Sequence, residues 1–158
     1  MIFLRLRKKT RIADLAAGSV ATITGVVQST HRLTIPPSGT ACVYYALMEE
    51  RFGHGERGRG RPLWFPDKFE NKCVDFTVTD DSGTITVRES SERLKVRGGH
   101  REAGPVKGSK KRRFVAEFLH AGDAVVLRGR VDRSPDGAGF VLGAPEAGDL
   151  AIAITRQG

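Results

Sequence analysis

Five cations fall within seven residues at Lys107, Lys110, Lys111, Arg112 and Arg113, a density that builds a local positive field suited to phosphate groups. The chemistry on offer is salt-sensitive, sequence-tolerant attraction to a polyanion; the alternative is a solvated charge run. Three aromatic residues are the other candidates. Tyr44 and Tyr45 are chain neighbours that point to opposite faces of a strand, so one can fill a core while the other is available at the surface, or both serve packing. Trp64 stands between Pro62 and Pro66 in a loop-like context, where it either covers the end of the fold or stacks a base or ligand. Packing is favoured, because no second aromatic nearby completes a stacking platform.

The residue pattern supplies no catalytic centre. Asp80 and Asp81 are adjacent carboxylates, but they sit in Asp80-Asp-Ser-Gly, a hairpin turn in which aspartate accepts backbone N–H groups. Gly53-His-Gly-Glu-Arg-Gly fits Gly-x-Gly-x-x-Gly only formally, since no strand-to-helix transition follows; the stretch from Gly53 to Gly60 reads as a mobile loop. Cys42 and Cys73 are the only cysteines, too few for a disulfide framework, and read as small buried side chains in a reducing compartment. His31, His54, His100 and His120 are scattered, with no Cys-x-x-Cys and no His-Glu-x-x-His, so spacing offers no metal site. The expectation is a non-enzymatic protein with no cofactor, no metal and no evident small-molecule substrate.

Positioning these residues takes one domain. The 158 residues, 39% of them hydrophobic, suffice for a single packed core. No apolar run reaches the ~18 residues that a membrane span requires. The apolar stretch at Met1–Leu6 is too short for a signal peptide and its charges follow rather than precede it, although an apolar start followed by Arg7, Lys8 and Lys9 is also the pattern of a surface anchor. Residues 1–11 are read as a basic extension and 12–154 as the domain. The formal charge is +8, and residues 88–113 carry ten basic and three acidic side chains, a local excess of +7.

Period-2 alternation defines most of the elements. A strand runs from Val20 and bends near Gly25, where a missing side chain permits tight curvature. A second follows Pro36-Pro-Ser-Gly, from Ala41 to Arg51. Val74, Phe76 and Val78 against Ile85 and Val87, around the Asp80-Asp-Ser-Gly turn, make a hairpin. Residues 97–113 read as a second long basic loop. Arg113-Phe-Val-Ala-Glu-Phe-Leu-His reads as a short helix with Phe114 and Phe118 on one face, ended by Ala121-Gly122 and able to plug a barrel. Two strands complete the set, from Ala124 to Val131 and from Phe140 to Gly143, and Leu150–Ile154 forms a further short edge. The fold class is mainly β: an OB-like small β-barrel of five to six strands with one short helix and two long basic loops.

Four motifs resemble the GIDE domain, also called BAM ("beside a membrane"), the non-RING part of a mitochondrial membrane-bound ubiquitin ligase that also occurs in bacterial proteins. They are Ile12-Ala-Asp-Leu-Ala-Ala-Gly before the first strand, Ser38-Gly-Thr-Ala-Cys-Val-Tyr-Tyr leading into the second, Trp64 before the Asp80-Asp-Ser-Gly hairpin, and Phe118-Leu-His-Ala-Gly-Asp with Gly129 beyond it. The resemblance spans about Ile12 to Ile154. It implies a barrel-like, membrane-associated domain used for protein or ligand contacts, with no catalytic residues of its own. Ubiquitin transfer in that family belongs to a zinc-binding RING, for which this sequence has too few cysteines and histidines. The Arg-rich segments at 53–61 and 97–113 look unlike a minimal family member.

The leading expectation is therefore a cytoplasmic, basic interaction module, peripheral at the membrane, that contacts a protein partner or an anionic membrane surface. Its rival is a single-stranded nucleic-acid-binding protein of OB type, which wants exposed aromatics beside the cations; Tyr44 or Tyr45 and Phe76 are the residues that could serve.

Overall fold

The computed structural model describes residues 7–54 and 60–158. Met1–Leu6 and residues 55–59 of the glycine loop lie outside the described residues, and with them the expectations of a surface anchor and a mobile loop. The described residues are 55% strand and 4% helix, so the mainly β reading holds.

The hairpin read from alternation is the seed of the barrel. Phe76 and Val78 face inward from β6 (Phe76–Thr79) and meet Val87 and Ile85 of β7 (Thr84–Val87) in register. The turn between them is tied by Asp80, whose Oδ1 accepts from Ser82 N at 2.7 Å, Ser82 Oγ at 2.6 Å and Gly83 N at 3.0 Å. Its Oδ2 accepts Ile12 N at 2.9 Å, which anchors a single 3-10 turn (Ile12–Asp14) and brings Ile12 and Leu15 into the barrel core.

Three more strands close the cylinder: β1 (Val20–Gln28), β11 (Ala124–Arg133) and β12 (Phe140–Gly143). Their order around the wall is β1, β6, β7, β12, β11 and back to β1, with β7 and β12 parallel and every other pair antiparallel. Numbered along the chain this is 1-2-3-5-4-1, a five-stranded barrel of OB type. Its interior holds Ile23, Val27, Val78, Leu127, Val131 and Leu142, each fully buried.

Two glycines make closure possible. A Cβ at Gly25 would lie 2.6 Å from Thr79 O and 2.6 Å from Val78 Cγ1, so β1 can turn from β11 onto β6 only without a side chain there. At Gly129 a Cβ would fall 2.4 Å from Gly143 O, at the point where β11 exchanges one neighbour for another. Residues 124–128 of β11 pair with β13 (Leu150–Arg156), and residues 130–133 pair with β12. β13 was expected at an edge; it lies between β11 and β8 (Leu94–Arg97), because Ile152, Ala153 and Ile154 are buried against both neighbours. The true edge is β8, whose exposed Lys95 and Arg97 oppose pairing with a further strand.

Two excursions from the barrel meet to form a second sheet. Between β1 and β6 the chain makes β2 (Leu33–Thr34), β3 (Ala41–Cys42), β4 (Tyr44–Gly53) and β5 (Leu63–Cys73). Between β7 and β11 it makes β8, β9 (His100–Pro105) and β10 (Arg112–Leu119). The hairpins β4–β5 and β9–β10 join through β4 and β10 into a four-stranded sheet ordered β5-β4-β10-β9.

This sheet corrects two expectations. The segment read as a helix is β10. Phe114 and Phe118 do share a face, but so does Ala116 between them, and all three are buried while Arg113, Val115 and Glu117 alternate opposite. Spacing of four satisfies both periodicities, and eight paired residues of β4 decide in favour of the strand. The basic loop at 97–113 is likewise mostly strand, with Gly98–Gly99 and the turn between Pro105 and Arg112 left over.

Candidate binding surface

One face of the second sheet is packed along its length, and the other only at its base, where Tyr44, Ala46 and Cys73 meet the barrel core. Tyr45, Leu47, Phe114, Ala116 and Phe118 face inward and form a second core with Ile35 and Cys42 from the chain around β2 and β3. On the opposite side a row of side chains crosses all four strands: Phe69 beside Met48, Met48 beside Val115 and Val115 beside Ala103. The row faces solvent, with Phe69 64% and Met48 37% exposed. A groove of about 340 Å³ between Phe69, Met48, Val115, Arg101 and Glu117 follows the row.

Cations gather where the same face reaches the far end of the sheet. The Arg113 guanidinium lies over the Trp64 ring, 4.1 Å from its centroid, and Phe52 packs against the other aromatic at 5.3 Å. Arg113 Nε also bonds Glu50 at 3.1 Å. On the reverse side Arg51 sits over Phe65 at 5.4 Å. Arg112 pairs with Asp67 and, at 3.6 Å, with Glu49. Lys107, Lys110 and Lys111 occupy the exposed turn of the β9–β10 hairpin, closed by Val106 N to Arg112 O at 3.0 Å, and none of the three has an ion-pair partner among the described residues. Phe52 N donates to Lys111 O at 2.7 Å, which clamps this turn beside the end of β4, and on the other side of β4 Leu63, 57% exposed, pairs with Gly53.

The five expected cations thus divide by function. Arg112 and Arg113 are held in place by carboxylates and an aromatic ring; the three lysines project freely. Trp64, expected in a loop, is on β5 and half-buried, where it packs against Phe52 and Arg113. Phe52 is the second aromatic; pairing of β4 with β5 sets it opposite Trp64, a register that residue spacing along the chain does not reveal. Tyr44 and Tyr45 do point to opposite faces, but neither is a surface aromatic. They are 7% and 1% exposed, because β4 runs between two cores and each ring fills a different one. Tyr45 OH donates to Glu70 at 2.6 Å; burial first, and this bond second, hold the phenol above its ordinary range, while the same bond holds Glu70 below its own.

No family model, curated protein or solved structure matches this chain. The surface is read from its own geometry.

The barrel wall offers less. A groove of about 500 Å³ along β6 and β7 is lined by Gln28, Thr77, Thr86, His31 and an Arg88–Asp75 ion pair of 2.8 Å. Phe76, expected as a third stacking residue, is 2% exposed and belongs to the core. Both cysteines are free; burial pushes Cys42 up to about 11 and Cys73 up to about 12, so neither thiol is an ionised nucleophile at neutral pH.

The histidines, scattered in sequence, are not all scattered in space. His100 opens β9, His120 follows β10 and Asp123 precedes β11, and the turn of residues 120–123 folds the last two back beside the first. One ligand atom from each of the three lies within 4.8 Å of the others.

Proposed function

We propose that this chain is a non-catalytic docking module that binds an anionic membrane surface through the far end of its second sheet. The observation that carries the reading is the coincidence of lysines without ion-pair partners among the described residues and exposed apolar side chains: Lys107, Lys110 and Lys111 stand at the same end of the sheet as Phe52, Leu63 and the Trp64–Arg113 pair. Amphipathic aromatics and long cations are the side chains that suit the boundary between headgroups and acyl chains. Each lysine near an anionic leaflet adds about 1 kcal/mol, so three contribute roughly 3 kcal/mol, or a partition constant about 100-fold higher. Arg112 and Arg113, already neutralised by Asp67, Glu49 and Glu50, orient the surface more than they charge it.

Trp64 is the only tryptophan, so its emission reports directly on this end of the molecule. Titration with vesicles of phosphatidylcholine and phosphatidylglycerol should shift that emission to the blue, weakly or not at all for phosphatidylcholine alone, with the effect lost as salt is raised. Binding of single-stranded oligonucleotides without any response to anionic vesicles would replace this reading with the nucleic-acid one.

A further inference from the structure

We infer that His100, His120 and Asp123 form a binding site for a divalent transition-metal ion, of which Zn²⁺ is the best match to the donor set. Two imidazoles and one carboxylate are a recurrent three-ligand arrangement that leaves a fourth position for water or an external ligand.

The geometry is close to what such an ion needs. Bonds of ~2.0–2.1 Å in a tetrahedron place ligand atoms roughly 3.3 Å apart. His100 Nε2 is 2.6 Å from Asp123 Oδ1, and His120 Nδ1, which bonds Ala121 O at 2.7 Å, is 3.8 Å from the same oxygen; turning the His120 ring onto a cation exchanges the Ala121 bond for the metal bond. Small ring rotations bring these separations together. His120, with 28% of its side chain exposed, has room to make them. When a cation takes the place of the His100–Asp123 hydrogen bond, the neutral His100 ring carries its one proton on Nδ1 and offers the Nε2 lone pair to the ion.

The surroundings hold the ligands as a metal site requires. Asp123 is fully buried, and its carboxylate is fixed by two backbone donors, His120 N to Oδ2 at 2.9 Å and Gly158 N to Oδ1 at 2.9 Å. The His100 ring is stacked on Phe118 at 5.0 Å and on His120 at 4.0 Å. Outer partners that orient ligands in this way govern affinity nearly as strongly as the ligands do. Access comes from a groove of about 410 Å³, lined by His120, Ala121, His31, Arg32 and Ala41, which reaches His120 from solvent. The site lies at the base of the second sheet, whereas the proposed membrane surface is at its far end, so each stands or falls independently.

Calorimetric titration of the full chain with Zn²⁺, and absorption spectroscopy with Co²⁺, test the assignment. The expected result is one saturable equivalent, with Co²⁺ bands of a nitrogen and oxygen donor set and no thiolate charge-transfer band. His100→Gln and His120→Gln should each weaken Zn²⁺ binding by about tenfold or more, while His54→Gln, at the other end of the second sheet, leaves it unchanged. Glutamine keeps a donor toward Asp123, and thermal unfolding in EDTA establishes that each variant is folded. Absence of saturable binding by the wild-type chain, or binding that survives in both folded variants, overturns the assignment.

Discussion

Arg113 touches two partners at once: its guanidinium covers the Trp64 ring at 4.1 Å and its Nε bonds Glu50 at 3.1 Å. The three side chains come from β10, β5 and β4, so one arginine stitches the far end of the second sheet across three strands. Arginine to lysine is not a neutral change at such a place, because a compact ammonium cannot stack and bond in the same plane. Arg113→Lys should alter Trp64 emission in the absence of any ligand and cost about 1 kcal/mol in urea unfolding.

The three turn lysines carry charge without supporting the fold. Reversing them together, in Lys107→Glu, Lys110→Glu and Lys111→Glu, should reduce partition onto anionic vesicles by well over the ~100-fold attributed to their attraction. Stability should move by no more than about 0.5 kcal/mol, as for exposed positions generally. Co-sedimentation with vesicles and urea unfolding measured on the same variant separate the two effects. Unchanged co-sedimentation would remove the surface from consideration.

Gly129 is a steric requirement of barrel closure. Alanine there drives a methyl group to 2.4 Å from Gly143 O and 2.6 Å from Leu150 Cδ1, and backbone on that side has little freedom to retreat. Gly129→Ala should destabilise the protein by about 3 kcal/mol, read as a lower midpoint in urea. A control change at Gly137, where nothing lies within 4 Å but φ is +76°, tests backbone strain alone and should cost about 1 kcal/mol.

Asp80 makes the barrel sensitive to acid. Burial alone would raise its pKa, but hydrogen bonds from Ser82, Ile12 and Gly83 outweigh that and hold it below the ordinary aspartate value. A lowered folded pKa means the contribution is complete above the unfolded value of about 4 and disappears as pH falls through the folded one. Asp80→Asn should therefore lower stability near neutral pH by about 2 kcal/mol and flatten its dependence below about pH 4. Urea midpoints of both proteins across that range provide the measurement.

The two thiols respond in the opposite direction. Burial raises Cys42 to about 11 and Cys73 to about 12, so the stability associated with keeping them neutral is complete below the free-thiol value of 9.0 and is lost as pH climbs toward the folded values. Neither cysteine should react with a thiol reagent at pH near 8 in the native protein. Labelling that keeps pace with unfolding in urea is the expected outcome; rapid labelling at Cys42 in the folded chain would contradict its burial, and at Cys73, which is half-buried, its raised pKa.

Local residue patterns were enough to reveal the barrel. Alternation in Val20–Gln28, the Asp80-Asp-Ser-Gly turn between two apolar strands, and the need for a bend at Gly25 are short-range properties, and each element appears where those properties place it. The order of strands around the wall and the second sheet were decided only in three dimensions. The residues of β10 suit a helix or a strand equally until β4 pairs with them, Tyr45 is a surface residue until a second core forms over it, and Phe52 is unremarkable until a hairpin sets it beside Trp64. The same holds for His100, His120 and Asp123. Backbone pairing between distant segments, not spacing along the chain, determines which polar side chains become neighbours, and pairing depends on surface that both partners bury together.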